Sequence, residues 1–227
     1  PYATANANAV TSALVCTDTV GAVKWVRETN LQSFRLFYSN SVYHIFGSVS
    51  NNSPATRFQE QIVLDSIGRS GLVHLMVDTN GNFLGAKRII GHSANQFVRL
   101  LEVSSFTDGS LFLHLFASGD NQFYLNQNEV KIPASRWDYN VIVKTDTSYQ
   151  DYLYKVLNTD QQHLMSPGNQ FCPSTISGNF VFMVFNNEAR STPAVPYYID
   201  NVLQASQHNH FYVFDSSLAL RYSANLG

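Results

Sequence analysis

The chain has little charge and no long apolar run. Charged residues make up 13% of its 227 residues, about half of the share in an average globular protein. Its 14 basic and 16 acidic side chains give a net charge of -2. No excess of cations is present to neutralise a phosphate backbone, so we expect no nucleic-acid partner. No apolar stretch approaches the roughly 18 residues that span a bilayer, which predicts no membrane span.

Cysteine is also scarce. The two thiols, Cys16 and Cys172, are too few for a disulfide framework and cannot form a metal site by themselves. They could form one disulfide bridge. They could equally be two reduced thiols in the core, because free cysteine is among the most buried residue types.

The sequence lacks the features of a signal peptide in residues 1–13, which have neither a basic start nor an apolar middle. We expect a processed mature form or a piece of a longer protein. The chain is rich in aromatic residues, with 16 Phe and 12 Tyr, and its polar surface must come mainly from uncharged side chains. Such a surface is commoner outside cells, which favours an extracellular or cell-surface location.

Motifs of catalysis and of cofactor binding are missing from the sequence. No Gly-x-Ser-x-Gly elbow or phosphate-binding loop occurs, and the seven histidines show no His-x-x-x-His spacing. Oxygen ligands alternate from Asp78 to Asn82, but the glycine comes too early for a calcium loop and no Glu follows at the twelfth position. We therefore predict no catalytic residue, no metal site and no cofactor, and we expect the protein not to be an enzyme.

A repeated hairpin carries most of the information in the sequence. Four segments, which we call Asp hairpins, read as an alternating apolar strand, an Asp, a short polar turn and a second strand. Their turns begin at Asp18, Asp78, Asp146 and Asp215. The carboxylate of such an Asp accepts backbone N–H bonds two residues on. A Gly three residues later, as at Gly21 and Gly81, tolerates positive φ.

Three hairpins of a second type, each a strand, a polar turn and a strand, alternate with the Asp hairpins. The residues that follow their turns, Val42, Leu111 and Phe180, are spaced by 69 residues, and the next Asp comes 35 or 36 residues later in every copy. Such regularity indicates a duplicated module. We interpret the chain as an all-β protein made of antiparallel, four-stranded, propeller-like units of about 69 residues.

Two segments carry a family resemblance. Residues 18–25 fit the pattern Asp-x-x-Gly-x-apolar-x-Trp, and residues 40–47 read Asn-Ser-Val-Tyr-His-Ile-Phe-Gly. They resemble the β-propeller repeats of secreted bacterial proteins. The match decays along the chain, because the third and fourth Asp turns have Tyr149 and Leu218 in place of the Gly. The resemblance implies a propeller-like domain over residues 13–227 of an exported protein, and it implies no activity. A tandem array of β-sandwiches is the alternative.

Three pairs of hairpins and one lone Asp hairpin leave one hairpin missing from a closed ring of four blades. An unpaired sheet edge invites association. The N-terminal extension, residues 1–12, is uncharged and alternates Ala with Thr or Asn. It suits an edge strand that folds back on its own chain or inserts into a neighbouring copy, although a loose tail is the alternative. We expect a structural or adhesive subunit that self-assembles through β-edges, with a filament as one outcome.

A carbohydrate- or protein-binding module is the alternative function, and a glycoside hydrolase, which needs two carboxylates held close together, is less favoured. Aromatic side chains in the joining stretches could stack on a sugar or a surface protein, or pack over the sheet ends. These are Trp137, Tyr139, Tyr197 and Tyr198. Asn51 begins an N-glycosylation sequon.

Overall fold

The computed structural model describes most of the chain. The described residues are 12–49, 55–65, 71–91, 97–105, 109–118, 122–125, 128–131, 138–159, 174–176, 179–185, 197–200, 202–205 and 209–225.

All regular elements in these ranges are β-strands, which confirms the predicted all-β class. Their alternation of apolar and polar residues, with many β-branched and aromatic side chains, favours extended structure. The first ten strands are β1 (Ser12–Thr17), β2 (Val23–Thr29), β3 (Gln32–Ser39), β4 (Val42–Val49), β5 (Thr56–Phe58), β6 (Gln61–Leu64), β7 (Gly71–Asp78), β8 (Phe83–Gly91), β9 (Phe97–Ser105) and β10 (Leu111–Ser118). The others are β11 (Gln122–Leu125), β12 (Asn128–Lys131), β13 (Asp138–Thr145), β14 (Tyr152–Thr159), β15 (Ser174–Ile176), β16 (Asn179–Phe185), β17 (Tyr197–Ile199), β18 (Val202–Ala205), β19 (Asn209–Phe214) and β20 (Leu220–Asn225).

The strands form four antiparallel sheets. Sheet I has the order β1-β2-β5-β6, and sheet II has the order β3-β4-β7-β8-β11-β12. Sheet III has the order β9-β10-β13-β14-β17-β18, and sheet IV has the order β15-β16-β19-β20. In sheets II, III and IV a second-type hairpin lies beside the Asp hairpin that follows it in the sequence.

A third kind of hairpin lies between the second-type hairpin and the Asp hairpin of each pair. These inserted hairpins, β5–β6, β11–β12 and β17–β18, pair with the preceding sheet along the chain. Strand β5 pairs with β2, β11 with β8, and β17 with β14. Each inserted hairpin therefore adds two strands to the sheet, beside the second strand of the Asp hairpin that comes before it.

The strand pairing corrects one of the three positions that the sequence treated as equivalent, Val42, by one residue. Val42 lies opposite Asp78 itself, whereas Leu111 and Phe180 each lie opposite the residue that precedes the Asp. Tyr43 is therefore their counterpart, and the first interval is 68 residues where the sequence suggested 69.

The chain divides into two compact units, residues 1–100 with 123–130 and residues 101–122 with 131–227. In the first unit the core joins sheets I and II, with Leu14 and Phe58 contributed by sheet I and Ile45, Val73 and Leu75 by sheet II. Apolar burial of this kind is the main force that holds two sheets together.

In the second unit the core joins sheets III and IV. Phe112 and Ile142 come from sheet III, and Tyr212 and Phe214 come from sheet IV. All four of these side chains are essentially buried. The two cores are built in the same way, each from two sheets that face one another.

Side chains alternate along each strand, so the position relative to the Asp defines two faces of every sheet. We call the face with the residues one, three and five before the Asp the rear face, and the face with those two and four before it the front face. Leu14 and Ile142 lie on front faces, and Leu75 and Tyr212 lie on rear faces. In both units, therefore, the front face of the earlier sheet packs on the rear face of the later one.

Candidate functional site

The four predicted Asp turns share one hydrogen-bonding scheme. Asp18 Oδ1 accepts the backbone N–H groups of Val20 and Ala22, at 3.0 and 2.8 Å. Asp78 Oδ1 accepts the corresponding groups of Asn80 and Asn82, both at 2.8 Å. In both turns the carboxylate accepts the N–H groups of the residues two and four positions after the Asp.

The two later turns use the same acceptor, and only the second donor at Asp146 differs. Asp215 Oδ1 accepts the N–H groups of Ser217 and Ala219, at 2.8 and 3.0 Å, and Asp215 Oδ2 forms an ion pair with Arg221. Asp146 Oδ1 accepts the N–H groups of Ser148 and Tyr149, at 3.0 and 2.8 Å. The hydroxyl of Ser148 or Ser217 also donates to the Asp in each of these turns.

Hydrogen bonds lower the pKa of these carboxyl groups. Donation by the backbone of Asn82 is the main cause at Asp78, and the hydroxyls of Ser148 and Ser217 are the main causes at Asp146 and Asp215. Hydrogen bonds to a carboxylate favour its ionised form. The three groups therefore remain charged acceptors that hold their turns near neutral pH.

The backbone of all four turns passes through the left-handed region three residues after the Asp. Gly21 and Gly81 have φ values of 86° and 81°. Tyr149 and Leu218 take the same place with φ values of 56° and 60°, a conformation that costs a non-glycine residue about 1 kcal/mol. Both side chains are buried, so apolar burial offsets this strain. Sequence reasoning noticed the missing glycines and did not anticipate this exchange.

Within each unit, the Asp turn of the later sheet is contacted by a side chain from the sheet before it. Trp25 Nε1 of sheet I donates to the carbonyl of Thr79 at 3.0 Å. Lys144 Nζ of sheet III donates to the carbonyl of Ser216 at 3.1 Å. Thr79 and Ser216 both directly follow the Asp of their turn, so the acceptor is the equivalent backbone carbonyl in both units.

The turn of sheet II is covered more fully by sheet I. Arg27 Nε donates to the carbonyl of Gly81 at 2.7 Å, and the Trp25 ring packs edge-on against Tyr43 with centroids 5.7 Å apart. Gly81 is buried beneath these side chains, whereas its counterpart Gly21 is exposed. A Cβ at Gly81 would lie 2.9 Å from Trp25 Cδ2, and a Cβ at Gly21 would meet nothing within 4 Å.

The rear face shows the same contrast between the first sheet and the others. The residue three before the Asp is Val15, Leu75, Val143 or Tyr212 in the four hairpins. Leu75 and Tyr212 are 0% exposed and Val143 is 1% exposed, but Val15 is 55% exposed. Val15 lies directly opposite Val26, which is 47% exposed. On its rear face, therefore, sheet I exposes two neighbouring apolar side chains to solvent.

Buried histidines form a hydrogen-bonded row in the first unit. His44 Nδ1 lies 3.0 Å from His74 Nε2, and His44 Nε2 lies 3.1 Å from Ser39 Oγ. Burial, reinforced by the nearby His44 and Lys87 charges, lowers the pKa of His74 to about 3, and burial also lowers the pKa of His44. These rings are neutral at physiological pH.

A single buried histidine occupies sheet III. His114 Nε2 lies 2.8 Å from Asn140 Oδ1, and burial lowers the pKa of His114 to about 3. Sequence reasoning gave these histidines no role, since burial cannot be read from spacing. Across the described ranges no group of three or more His, Cys, Asp or Glu side chains is arranged to hold a metal ion.

Several of the remaining residues named from the sequence lie outside the described residues. Cys16 is a free thiol whose Sγ lies 3.5 Å from Tyr43 Oη, and Cys172 lies outside the described residues, so the bridge between them stays a prediction. Trp137 and Asn51 also lie outside the described residues, as do residues 1–11.

Three of the four candidate binding aromatics lie in strands. Tyr139 belongs to β13, where it is paired with Asn158 of β14. Tyr197 and Tyr198 belong to β17, which the sequence treated as a joining stretch. The proposed role of these tyrosines in binding a sugar or a protein stays a prediction.

Nowhere in the described ranges is there a helix that is long and apolar enough to cross a membrane. No family model, curated protein or solved structure matches the chain.

Proposed function

We propose that the protein is an extracellular structural or adhesive subunit, built from propeller-like four-stranded units, that assembles with copies of itself through the edges of its sheets. The observation that carries this proposal is the position of β1 and β20 in their sheets. Both are end strands in the described part of the chain. The equivalent strands of the other Asp hairpins are paired with a further strand on the corresponding edge.

The free edge of β1 corresponds to an occupied edge elsewhere. The first strands of the other Asp hairpins, β7, β13 and β19, pair with β4, β10 and β16. Nothing in the described residues pairs with β1 on this side. A row of unpaired backbone N–H and C=O groups is a template for a further strand.

The free edge of β20 corresponds to the edges that hold the inserted hairpins. Gln59 N–H, in the first inserted hairpin, donates to the carbonyl of Glu28, and Asp200 N–H, in the third, donates to that of Val156. Both acceptors lie ten residues after the Asp of their hairpin. The corresponding acceptor on β20 is Asn225, the last residue of that strand.

In the described part of the chain no further strand pairs with either edge, which favours assembly as the role of this chain. Strand addition recruits a partner mainly by main-chain hydrogen bonds, so it needs no specialised pocket. The low charge of the surface and its wealth of uncharged polar side chains support an extracellular location. Pairing between unlike edges is head to tail and extends into a filament unless it closes into a ring.

Sedimentation velocity over a wide concentration range, with negative-stain electron microscopy of the same samples, tests the proposal. We expect concentration-dependent association and slower amide hydrogen exchange in β1 and β20 at high concentration. The amides of β7, which are already paired on both sides, serve as the internal control. A discrete monomer at every concentration, with unchanged exchange in β1 and β20, would contradict the proposal.

Two lysine variants, one on strand β1 and one away from it, test whether this edge takes part in association. Ala13→Lys places a lysine on the exposed edge strand β1, where a charge opposes strand addition, and Glu60→Lys places one in the exposed turn between β5 and β6. Ala13→Lys should weaken association at least tenfold. Glu60→Lys, which lies away from both edges, should leave it unchanged.

A further inference from the structure

The exposed rear face of sheet I and the uncovered turn at Gly21 lie on the same sheet. In sheets II and IV the rear face is covered by the front face of the preceding sheet, and the turn carbonyl after the Asp is bonded by a side chain of that sheet. Sheet I has the rear-face residues and the turn, but Val15 and Gly21 are exposed. It is therefore built as a surface on which a further front face can pack.

Sheet IV presents a front face of the matching kind. Tyr222 lies seven residues after Asp215, as Trp25 lies seven residues after Asp18. Trp25 is paired with Cys16 and Tyr222 with Val213, each two residues before the Asp. Tyr222 is 57% exposed, so an aromatic ring stands on the front face of sheet IV where Trp25 stands on that of sheet I.

We propose that the front face of sheet IV packs on the rear face of sheet I in a second copy of this chain. In this arrangement Tyr222 lies over the Asp18 turn of the next copy, as Trp25 lies over the Asp78 turn within one chain. Its hydroxyl is directed at the Thr19 carbonyl, which corresponds to the Thr79 carbonyl that Trp25 bonds. Val15, Val26 and Ile62 of the next copy become buried.

The contacts between sheets within one chain indicate what packs on the rear face of sheet I. The interface between sheets I and II already shows which residues a front face brings to a rear face, and sheets III and IV repeat it. The exposed rear face is apolar at Val15, Val26 and Ile62, the last of which is 54% exposed. Apolar side chains grouped on one face mark an interaction surface, and a copy of this chain carries Tyr222 at the position from which Trp25 covers the next sheet.

This inference rests on the proposed self-assembly and adds the faces that meet, beyond the strand edges. Val26 distinguishes the two contributions, because it lies in β2, inside the sheet, and has no part in the β1 edge. Val26→Glu should weaken association at least tenfold in sedimentation velocity. Leu84→Glu, at a position on sheet II that is 53% exposed, is the matched control and should leave association unchanged.

Disulfide trapping tests the geometry directly. Val20→Cys and Tyr222→Cys are made separately in a Cys16→Ser/Cys172→Ser background, then mixed and oxidised. We expect a covalent dimer in the mixture and much less in either variant alone, because the contact is head to tail. A double variant carrying both cysteines should form a ladder of covalent oligomers.

The outcomes separate this inference from the function on which it rests. If the protein associates but Val26→Glu has no effect and the mixture forms no covalent dimer, the face contact is wrong and edge assembly stands. If the double variant forms its disulfide within one chain, the second copy is not the occupant. If no association occurs at any concentration, both proposals are wrong.

Discussion

The indole ring of Trp25 lies directly over the α-carbon of Gly81. A Cβ at this position would be 2.9 Å from Trp25 Cδ2 and 3.1 Å from Arg27 Cζ, and Gly81 also has a φ of 81°. Glycine is therefore required here both by the backbone and by the neighbouring sheet. At Gly21, where φ is 86°, only the backbone requirement applies.

The variants Gly81→Ala and Gly21→Ala separate these two requirements. Gly21→Ala should cost about 1 kcal/mol of unfolding free energy, the usual price of a left-handed alanine. Gly81→Ala should cost about 1–3 kcal/mol more, because Trp25 and Arg27 must also move. Urea unfolding of both variants, followed by circular dichroism, measures the difference. Equal losses in the two variants would show that the Trp25 contact does not constrain Gly81.

Sequence reasoning reached the all-β class and the Asp turns because both depend on local chemistry. Alternation of side chains specifies strands, and an Asp with its neighbours specifies a turn, within a few residues of chain. It missed the backward pairing of the inserted hairpins, since strand partners far apart in the sequence are chosen by packing. The burial of His44 and His74 was missed for the same reason, because a histidine in an alternating strand reads alike on a solvated or a packed face.

In the third and fourth turns, burial of a side chain outweighs the usual preference for glycine at a left-handed position. Leu218 lies in a position where glycine is ordinarily preferred, with a φ of 60°, yet its side chain is only 1% exposed. Its contacts belong to the core between sheets III and IV. The core keeps a leucine where the isolated turn would favour glycine.

This exchange predicts an inverted order of stability at Leu218. Leu218→Ala loses the buried side chain, at about 2–5 kcal/mol, and keeps the strained backbone. Leu218→Gly loses the same burial but relieves the strain, so it should be more stable than Leu218→Ala by about 1 kcal/mol. Chemical denaturation of the two variants tests the order.

Leu115 supplies the matched comparison. It is equally buried, at 1% exposed, and lies within the regular strand β10. There Leu115→Gly should be less stable than Leu115→Ala, because glycine is unfavourable in a strand. The same order at both positions would argue against strain at Leu218.

The buried histidines predict a loss of stability in mild acid. The folded protein binds a proton at His74 or His114 only near pH 3, since burial lowers the pKa of each ring to about 3, whereas the unfolded chain binds it near pH 6.5. Between these values the unfolded state holds more protons, so stability falls as the pH is lowered, by about 1.4 kcal/mol per pH unit for each ring. Above about pH 6.5 this contribution is complete.

The second unit shows how to remove part of this dependence with apolar side chains in place of the two rings. Phe112 and Ile142 of sheet III occupy the positions that His44 and His74 occupy in sheet II, each counted from its Asp turn. The double variant His44→Phe/His74→Ile copies that apolar pair, and replacing both partners of a buried hydrogen bond can be nearly neutral. Its unfolding free energy should fall less steeply than that of the wild type between pH 6 and pH 4. The slope that persists should come from His114 and, near pH 4, from the turn aspartates whose pKa is lowered in the folded protein. An unchanged slope in the double variant would mean that His44 and His74 bind protons equally in the folded and the unfolded protein.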